Sequence, residues 1–263
     1  MQIENEILGY YDEGREHARL TSGPTLELIR TQVLLQRFLP AAPSRILDVG
    51  GGSGVYASWL NGQGYDVDLL DPVPLHLEQA RALGVRARSG DARRLAETDH
   101  SYDAVLLLGP LYHLQDRTDR VRALTEAARV VRPGGPVIAA AISRYASLFD
   151  GYFRNFVDRP GFADGIREDV HSGRHLNPGR TDDLFTTAYF HTRDGLLGEL
   201  AEAGLTRSSV LPVEGMLNWA PGIADRLADP DQRKLILGLL AQAETDPALT
   251  AASSHLIAVG WTR

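Results

Sequence analysis

A short glycine-rich segment constrains the fold more than any other feature of this chain. Residues 46–54 read Ile-Leu-Asp-Val-Gly-Gly-Gly-Ser-Gly, a pattern that predicts a buried strand, a glycine turn and the start of a helix. In a parallel α/β sheet, such a turn brings bare backbone N–H groups close to a ligand at the carboxyl edge. Glycine is needed there because a Cβ would block a close approach or a positive φ. We therefore expect a doubly wound α/β domain with a ligand at this turn.

The spacing of the glycines distinguishes between cofactors. Dinucleotide sites prefer G-x-G-x-x-G, and the third glycine of that register would fall on Val55. The glycines instead form G-x-G-x-G at Gly50, Gly52 and Gly54, and an acid, Asp48, lies two residues before the first. This spacing argues against a nicotinamide dinucleotide.

Four further motifs follow in order. Residues 65–70 form an apolar segment that ends at Asp71, and residues 87–92 form a short turn that contains Asp91. Residues 102–114 combine an apolar strand pattern with a loop that carries Tyr112 and His113. Residues 130–135, Val-Val-Arg-Pro-Gly-Gly, end a helix before the apolar segment 136–141.

The ordered set covers residues 44–142 and resembles the motifs of the class I S-adenosylmethionine (SAM)-dependent methyltransferases. The resemblance implies SAM as cofactor and S-adenosyl-L-homocysteine (SAH) as product. It also implies a seven-stranded, mostly parallel sheet with an antiparallel last strand. The cofactor contacts that it implies are Asp48, Gly50, Gly51, Gly52, Gly54, Asp71, Pro72, Asp91, Ala92, Leu108 and Gly109.

The resemblance gives these contacts distinct roles. Asp48 would anchor the amino-acid end of SAM, Asp71 the ribose hydroxyls, and Asp91 with the Ala92 N–H the adenine. The backbone of Leu108 and Gly109 would line the methionine portion. Each acid also has a structural alternative, because Asp48 can cap the glycine loop and the other two can cap helices.

Three residues are candidates for catalysis. His113 lies in the loop after the fourth strand, where it would act as a general base or tether the loop to the backbone. Tyr112 beside it would line the pocket or simply pack. His191 lies where the chain returns to the core after a long insertion.

The chain divides into four parts. Residues 1–43 form an N-terminal arm and helix, 44–142 the SAM-binding core, 143–191 a cap inserted after the fifth strand, and 192–263 the end of the sheet. In the cap we expect a helix near 147–157, a loop over 158–183 and no clear strand. The candidate substrate contacts are Tyr11, Tyr112, His113, Tyr152, Tyr189 and His191.

A metal site is the less favoured interpretation of the cap histidines. His171 and His175, with His191 and Asp182 or Asp183, contain ligand types that bind metals. Gly173 lies between the first two in an expected loop that fixes no geometry. We therefore interpret them as solvated histidines and expect no metal, and the absence of cysteine excludes thiolate ligands.

Composition limits the partners. The net charge is −7 and the chain has a single lysine, Lys234, which disfavours a nucleic-acid acceptor because phosphates require clustered cations. No apolar run approaches the roughly 18 residues of a membrane span. The first residues show no secretory signal, so we expect a cytoplasmic protein. The abundance of arginine suggests a GC-rich, bacterial genome, and the protein is expected to be a monomer or a homodimer.

The sequence thus predicts a methyltransferase that acts on an O, N or C nucleophile of a small molecule, for example a natural-product intermediate. Two alternatives stay open. One is an NAD(P)-dependent oxidoreductase on a related sheet, and the other is a non-catalytic SAM-binding protein.

Overall fold

The computed structural model describes Tyr11 and residues 25–177 and 185–263. Asp182 and Asp183, and most of the N-terminal arm, lie outside the described residues. The described strands are β1 (Arg45–Val49), β2 (Asp66–Leu70), β3 (Arg86–Arg88), β4 (Ala104–Leu107), β5 (Pro136–Ser143), β6 (Arg174–His175), β7 (Ala188–His191), β8 (Thr206–Pro212) and β9 (His255–Trp261).

The described helices alternate with these strands over the first half of the chain. They are α1 (Leu26–Phe38), α2 (Val55–Gly62), α3 (Pro74–Ala82), α4 (Pro110–His113), α5 (Arg117–Val130), α6 (Ala146–Phe153), α7 (Phe162–Ser172), α8 (Arg193–Glu202), α9 (Ile223–Ala228), α10 (Pro230–Ala243) and α11 (Pro247–Thr250). Short 3₁₀ turns occupy Phe156–Asp158 and Gly215–Trp219.

The sheet has the expected doubly wound form. Its strands lie in the order β3-β2-β1-β4-β5-β9-β8, and the first five pair in parallel. Strand β9 is antiparallel to both of its neighbours. Strand β4 is buried along its whole length, because helices cover both faces of the sheet. The predicted mostly parallel sheet with an antiparallel last strand is confirmed.

Two apolar cores cover the two faces of the sheet. One contains Leu124 of α5 and Leu200 of α8. The other contains Leu35 of α1, Leu60 of α2 and Leu77 of α3. The carboxyl edge of β1, β2 and β4 is left between these layers, and this edge is where α/β sheets bind ligands.

The cap differs from the sequence expectation. Helix α7 occupies much of the segment that was expected to be a loop, and the hairpin β6–β7 follows it. Strand β7 joins the end of β5 in parallel, with Phe190 opposite Ile142. The helix forms because Ile166 buries against α6 at Gly151, where no Cβ obstructs the approach. Two glycines bound this helix and a third lies inside it, which is why the segment reads as a loop in the sequence.

No described helix is long and apolar enough to cross a bilayer.

Candidate functional site

A cavity of about 650 Å³ opens at the carboxyl edge of β1, β2 and β4. Its volume lies within the range of about 300–1,000 Å³ that is usual for small-molecule sites. Most of the predicted site residues line it, namely Tyr11, Asp48, Gly50, Gly51, Gly52, Asp71, Pro72, Asp91, Ala92, Leu108, Gly109, Tyr112 and His113.

Four predicted residues do not line the cavity: Gly54, Tyr152, Tyr189 and His191. Gly54 precedes α2 on the side of the turn that packs against α3. Tyr152 lies on α6 and is 72% exposed. Tyr189 and His191 belong to β7, and the His191 ring is 1% exposed and bonds Glu199. The structure therefore gives these last two a place in the packing of the cap.

The glycine turn is folded against the end of β2. The N–H groups of Gly50 and Gly51 both donate to the Leu70 carbonyl, at 2.6 and 3.2 Å. Gly50 has φ of +67°, and a Cβ there would lie 2.6 Å from the Pro110 ring. Only glycine allows this close approach of the turns after β1 and β4. The two turns form one wall of the cavity.

Asp71 stabilises the glycine turn through a hydrogen bond to Gly52. Its Oδ2 accepts the Gly52 N–H at 2.9 Å. Its Oδ1 accepts the Val73 N–H at 2.9 Å and lies 3.0 Å from Nδ1 of His76. Since a carboxylate offers about four acceptor positions, Asp71 retains capacity for one further donor.

Asp48 has a different environment. It is fully buried, and neither carboxylate oxygen has a hydrogen-bond partner among the residues that the structure describes. Burial and the nearby charge of Asp71 raise the pKa of Asp48 to about 7. A cation that enters the cavity would meet an acid ready to lose its proton near neutrality.

Asp91 is held in an ion-pair chain. Arg93 donates to Asp91 from Nε at 2.9 Å and from Nη2 at 2.7 Å, and it donates to Asp119 from Nη1 at 2.9 Å. Burial opposes ionisation of Asp91, but the hydrogen bonds from Arg93 lower the pKa of this acid below its usual value. These ion pairs connect the turn after β3 to the first turn of α5.

His113 pairs with Tyr11 across the cavity. The Tyr11 hydroxyl lies 2.7 Å from Nε2 of His113, and the other ring nitrogen, Nδ1, is buried without a partner among the described residues. Burial and the neighbouring His76 lower the pKa of His113 to about 3. The imidazole is therefore neutral at physiological pH.

Aromatic rings surround this pair. The His113 ring stacks on Phe185 at a centroid distance of 5.9 Å and meets the edge of Tyr112 at 4.7 Å. The Tyr112 hydroxyl donates to the Leu108 carbonyl at 3.2 Å. Phe185 belongs to the cap, so the cap contributes directly to the environment of His113.

A buried arginine fixes the loop that follows His113. Arg120 of α5 is 1% exposed and donates from Nη1 to the carbonyls of Leu114 and Gln115, at 2.9 and 2.8 Å. Its Nε and Nη2 bind Glu199 of α8, at 2.8 Å for the shortest contact. The guanidinium also lies 3.5 Å from the centre of the Tyr189 ring. The network joins the loop to α8 and to the cap.

Sequence reasoning missed several side chains of the site, among them Ser53, His76 and Gln115, which line the cavity, and Phe185, which stacks on His113. His76 follows Asp71 by five residues, and helix periodicity could have placed it at the cavity. Ser53 and Gln115 carry no motif of their own. Phe185 reaches His113 only through the fold of the cap.

The cap histidines do not form a metal cluster in the part of the chain that the structure describes. His175 bonds Asp169 at 2.9 Å and stacks on Phe190, whereas His171 is exposed. One described group, Glu27, Glu214 and His255, brings three possible ligands within 4.8 Å of one another, away from the cavity. Both oxygens of Glu214 already accept hydrogen bonds from Ser253 or His255.

Known proteins match the part of the chain that builds this cavity. Residues 46–135 match a family model described as a methyltransferase domain. An uncharacterized methyltransferase of Mycobacterium tuberculosis is 40% identical over 99 residues, which are 37% of this chain and 39% of that protein. A human protein named "Probable tRNA methyltransferase 9B" is 35% identical over 109 residues, 41% of this chain and 23% of that protein. The chain thus matches less than half the length of these relatives.

The whole fold also has a known counterpart. The crystal structure of a SAM-dependent methyltransferase from Thermotoga maritima matches all of both chains, with a TM-score of 0.60 and 16% sequence identity. At this identity the likeness concerns the fold.

Proposed function

We propose that this chain, which carries a methyltransferase domain with the class I SAM-dependent fold, transfers a methyl group from SAM to a small molecule. The acceptor atom would be O, N or C. The supporting observation is a single cavity at the carboxyl edge, which joins the glycine turn and Asp71 to the Tyr11–His113 pair. The residues that would bind the cofactor and the pair that would accept a proton thus line the same cavity.

The residues of the cavity fit SAM. Besides His113, three of them, Asp48, Ser53 and Gln115, have buried polar atoms without partners among the described residues. Such atoms are rare in native proteins and cost about 1–3 kcal/mol each. Asp48 would bind the α-ammonium group, Ser53 and the glycine turn the carboxylate, and Asp71 a ribose hydroxyl. SAM would therefore satisfy groups that the protein alone leaves unpaired.

When bound, SAM supplies an electrophilic methyl group on a sulfonium sulfur. The contribution of the protein is to align the acceptor with that group, which is worth up to roughly 7–11 kcal/mol in ideal systems. The buried ring of Tyr11 and the half-buried rings of Tyr112 and Phe185 would limit the access of water to the reacting atoms.

His113 is suited to handle the proton of the acceptor. Its low pKa keeps the imidazole neutral, so it does not repel a sulfonium cation. If Nε2 donates its proton to the Tyr11 oxygen, Nδ1 keeps a lone pair for the acceptor proton. Because its pKa of about 3 lies well below neutrality, His113 would be a weak base and would contribute at the lower end of the 10²–10⁴-fold range, about 10²-fold.

The charge of the cavity supports a small-molecule acceptor over RNA. Asp91, Asp116 and Asp119 line the wall and would repel phosphates, while Arg93 is bound to two of them. The net charge of the whole chain is −7. These features favour an uncharged or cationic acceptor, such as a natural-product intermediate. We also predict that the protein is bacterial and cytoplasmic and that it is a monomer or a homodimer.

Isothermal titration with SAM and with NADH tests the cofactor assignment. We expect micromolar SAM binding and no NADH binding; the reverse would favour the oxidoreductase alternative. Formation of SAH is then measured with panels of phenols, amines and enolisable carbonyl compounds, and with transfer RNA as a separate arm. SAH formation that depends on a small acceptor supports the proposal. SAM binding without any turnover would favour the non-catalytic alternative.

A further inference from the structure

Gln115 is the one cavity residue whose whole side-chain amide lacks a partner. Both Oε1 and Nε2 are buried without a hydrogen bond among the described residues. Gln115 lines the cavity directly before α5. A buried amide left without partners is unfavourable, so its presence at a cavity wall points to a ligand that completes it.

The surroundings of Gln115 place it on the same wall as the turn after β3. Arg93 bridges Asp91 of that turn to Asp119 of α5, four residues after Gln115. The resemblance to methyltransferases places adenine at the turn of Asp91 and Ala92. Gln115 therefore lies on the side of the cavity where the base of the cofactor is expected.

The Asp91 carboxylate, which would otherwise bind the exocyclic amine of adenine, is already paired with Arg93. The carboxylate of Asp91 accepts two hydrogen bonds from the Arg93 guanidinium and one from the Arg93 N–H, at 2.7 to 2.9 Å. To bind adenine, Asp91 would have to give up part of this pairing. The Gln115 amide has no such competing partner in the described structure.

The backbone at Gln115 is fixed as well. Arg120, itself buried, donates from Nη1 to the Gln115 carbonyl at 2.8 Å and to the preceding carbonyl of Leu114. A pinned backbone limits the side chain to a few rotamers. Such preorganisation lowers the entropic cost of binding.

From these observations we infer that Gln115 recognises the adenine of the cofactor and sets specificity for the base, an inference that rests on the proposed function. A carboxamide donates one hydrogen bond and accepts another, which matches the acceptor N7 and the donor N6 amine of adenine. Nε2 donates to N7, and Oε1 accepts from N6. Guanine and hypoxanthine carry an oxygen in place of the amine and would leave Oε1 unpaired.

Isothermal titration with SAH and its 7-deaza analogue tests the inference, because the analogue lacks only the N7 acceptor. We expect the parent protein to bind the analogue about tenfold more weakly than SAH. In Gln115→Leu, SAH affinity falls by a similar factor and the two ligands bind equally. Gln115→Glu keeps the shape of the side chain but presents acceptors only, so it also loses the preference for SAH.

Gln79→Leu is the matched control, because Gln79 lies outside the cavity and its Oε1 is also buried without a described partner. This variant should retain the parental preference. Equal binding of both ligands by the parent, or a preference that persists in Gln115→Leu, would overturn the role of Gln115. Failure of the parent to bind SAH would instead overturn the proposed function.

Discussion

At the scale of single residues, environment assigns different chemistry to two aspartates at neighbouring strand ends. Asp71 accepts three hydrogen bonds from nearby residues, whereas Asp48 has none among the described residues and a pKa near 7. The first is a preformed acceptor, and the second changes its charge in the physiological range. The sequence alone presents both simply as acids near the end of a strand.

The raised pKa of Asp48 predicts a pH dependence of cofactor binding. Below about pH 7 the acid is protonated and pairs poorly with an α-ammonium group, so SAH affinity should rise between about pH 5.5 and 7 and then level off. Titration calorimetry over this range measures the slope. In Asp48→Asn, affinity should be weak and independent of pH.

The ligand-free protein should show the opposite trend in stability. Burial raises the pKa of folded Asp48 to about 7, well above its ordinary value, so the folded state holds a proton that the unfolded state has lost, and stability falls as pH rises from about 4 to 7. Asp48→Asn should remove this part of the loss in urea denaturation. Asp91→Asn is the control, because the lowered pKa of Asp91 keeps it ionised. A loss of stability between about pH 4 and 7 that persists in Asp48→Asn would contradict the assignment of this titration to Asp48. A pH-dependent affinity for SAH in the same variant would contradict it as well.

Replacement of His113 should separate chemistry from cofactor binding. We expect His113→Ala to slow methyl transfer to an identified acceptor by about 10²-fold, the lower end for a general base because the pKa of His113 lies well below neutrality, and Tyr11→Phe to slow it less. SAM affinity should change little, since neither residue belongs to the glycine turn or to Asp71. Single-turnover rates and titration calorimetry measure the two quantities. His171→Ala, an exposed histidine of the cap, should match the parent, and unchanged rates in His113→Ala would leave this residue a structural role.

At the scale of elements, the contact between the start of α2 and the middle of α3 holds the glycine turn in place. Gly54 has φ of +81°, and a Cβ there would lie 2.8 Å from the Cβ of Ala80. Both the backbone conformation and the close approach require glycine at this position. The residue thus acts on the site through packing, although it does not line the cavity.

Gly54→Ala should therefore destabilise the protein by about 1–3 kcal/mol and weaken SAM binding. Thermal denaturation and calorimetry measure the two effects. Gly62→Ala at the end of the same helix is the matched control, since a Cβ there meets no atom within 4 Å. It should leave stability unchanged or raise it by up to about 1 kcal/mol. A Gly54→Ala variant as stable as Gly62→Ala would refute the packing argument.

At the scale of the whole molecule, one buried network connects the core to the cap. Arg120 binds Glu199 of α8, and Glu199 also lies 3.3 Å from Nε2 of His191 on β7. Burial lowers the pKa of His191, while its contact with Glu199 acts in the opposite direction. The same arginine holds the loop after His113, so this loop, α8 and the cap depend on one side chain.

Arg120→Met should cost about 3–5 kcal/mol of folding free energy, because it leaves the buried Glu199 without its cation. Urea denaturation monitored by circular dichroism measures the loss. Arg117→Met removes an exposed ion pair between the same two helices, Arg117 with Glu202, and should change stability little. Equal stability of the two variants would show that the network contributes no more than a surface pair.

How well the sequence predicts each part of the molecule depends on whether that part is stabilised by residues close together or far apart in the chain. Strands β1, β2, β4 and β5 and the glycine turn are visible in the sequence, because apolar runs and glycine spacing are local, and the mostly parallel form of the sheet follows from the resemblance. Helix α7 was missed, since its stability comes from burial of Ile166 against α6. His191 was selected for its position in the chain, but its ring turned out to be buried against α8.

The amino-acid sequence alone predicts the fold and the position of the cavity, because a strand, a glycine turn and a helix leave few ways to expose backbone N–H groups. Tertiary structure alone decided the partners of each polar side chain. It joined Tyr11 to His113 across 102 positions, engaged Asp91 with Arg93, and left Gln115 and Asp48 unpaired in the described residues. Hydrogen bonds and burial form between distant segments, and no local pattern of residues encodes them.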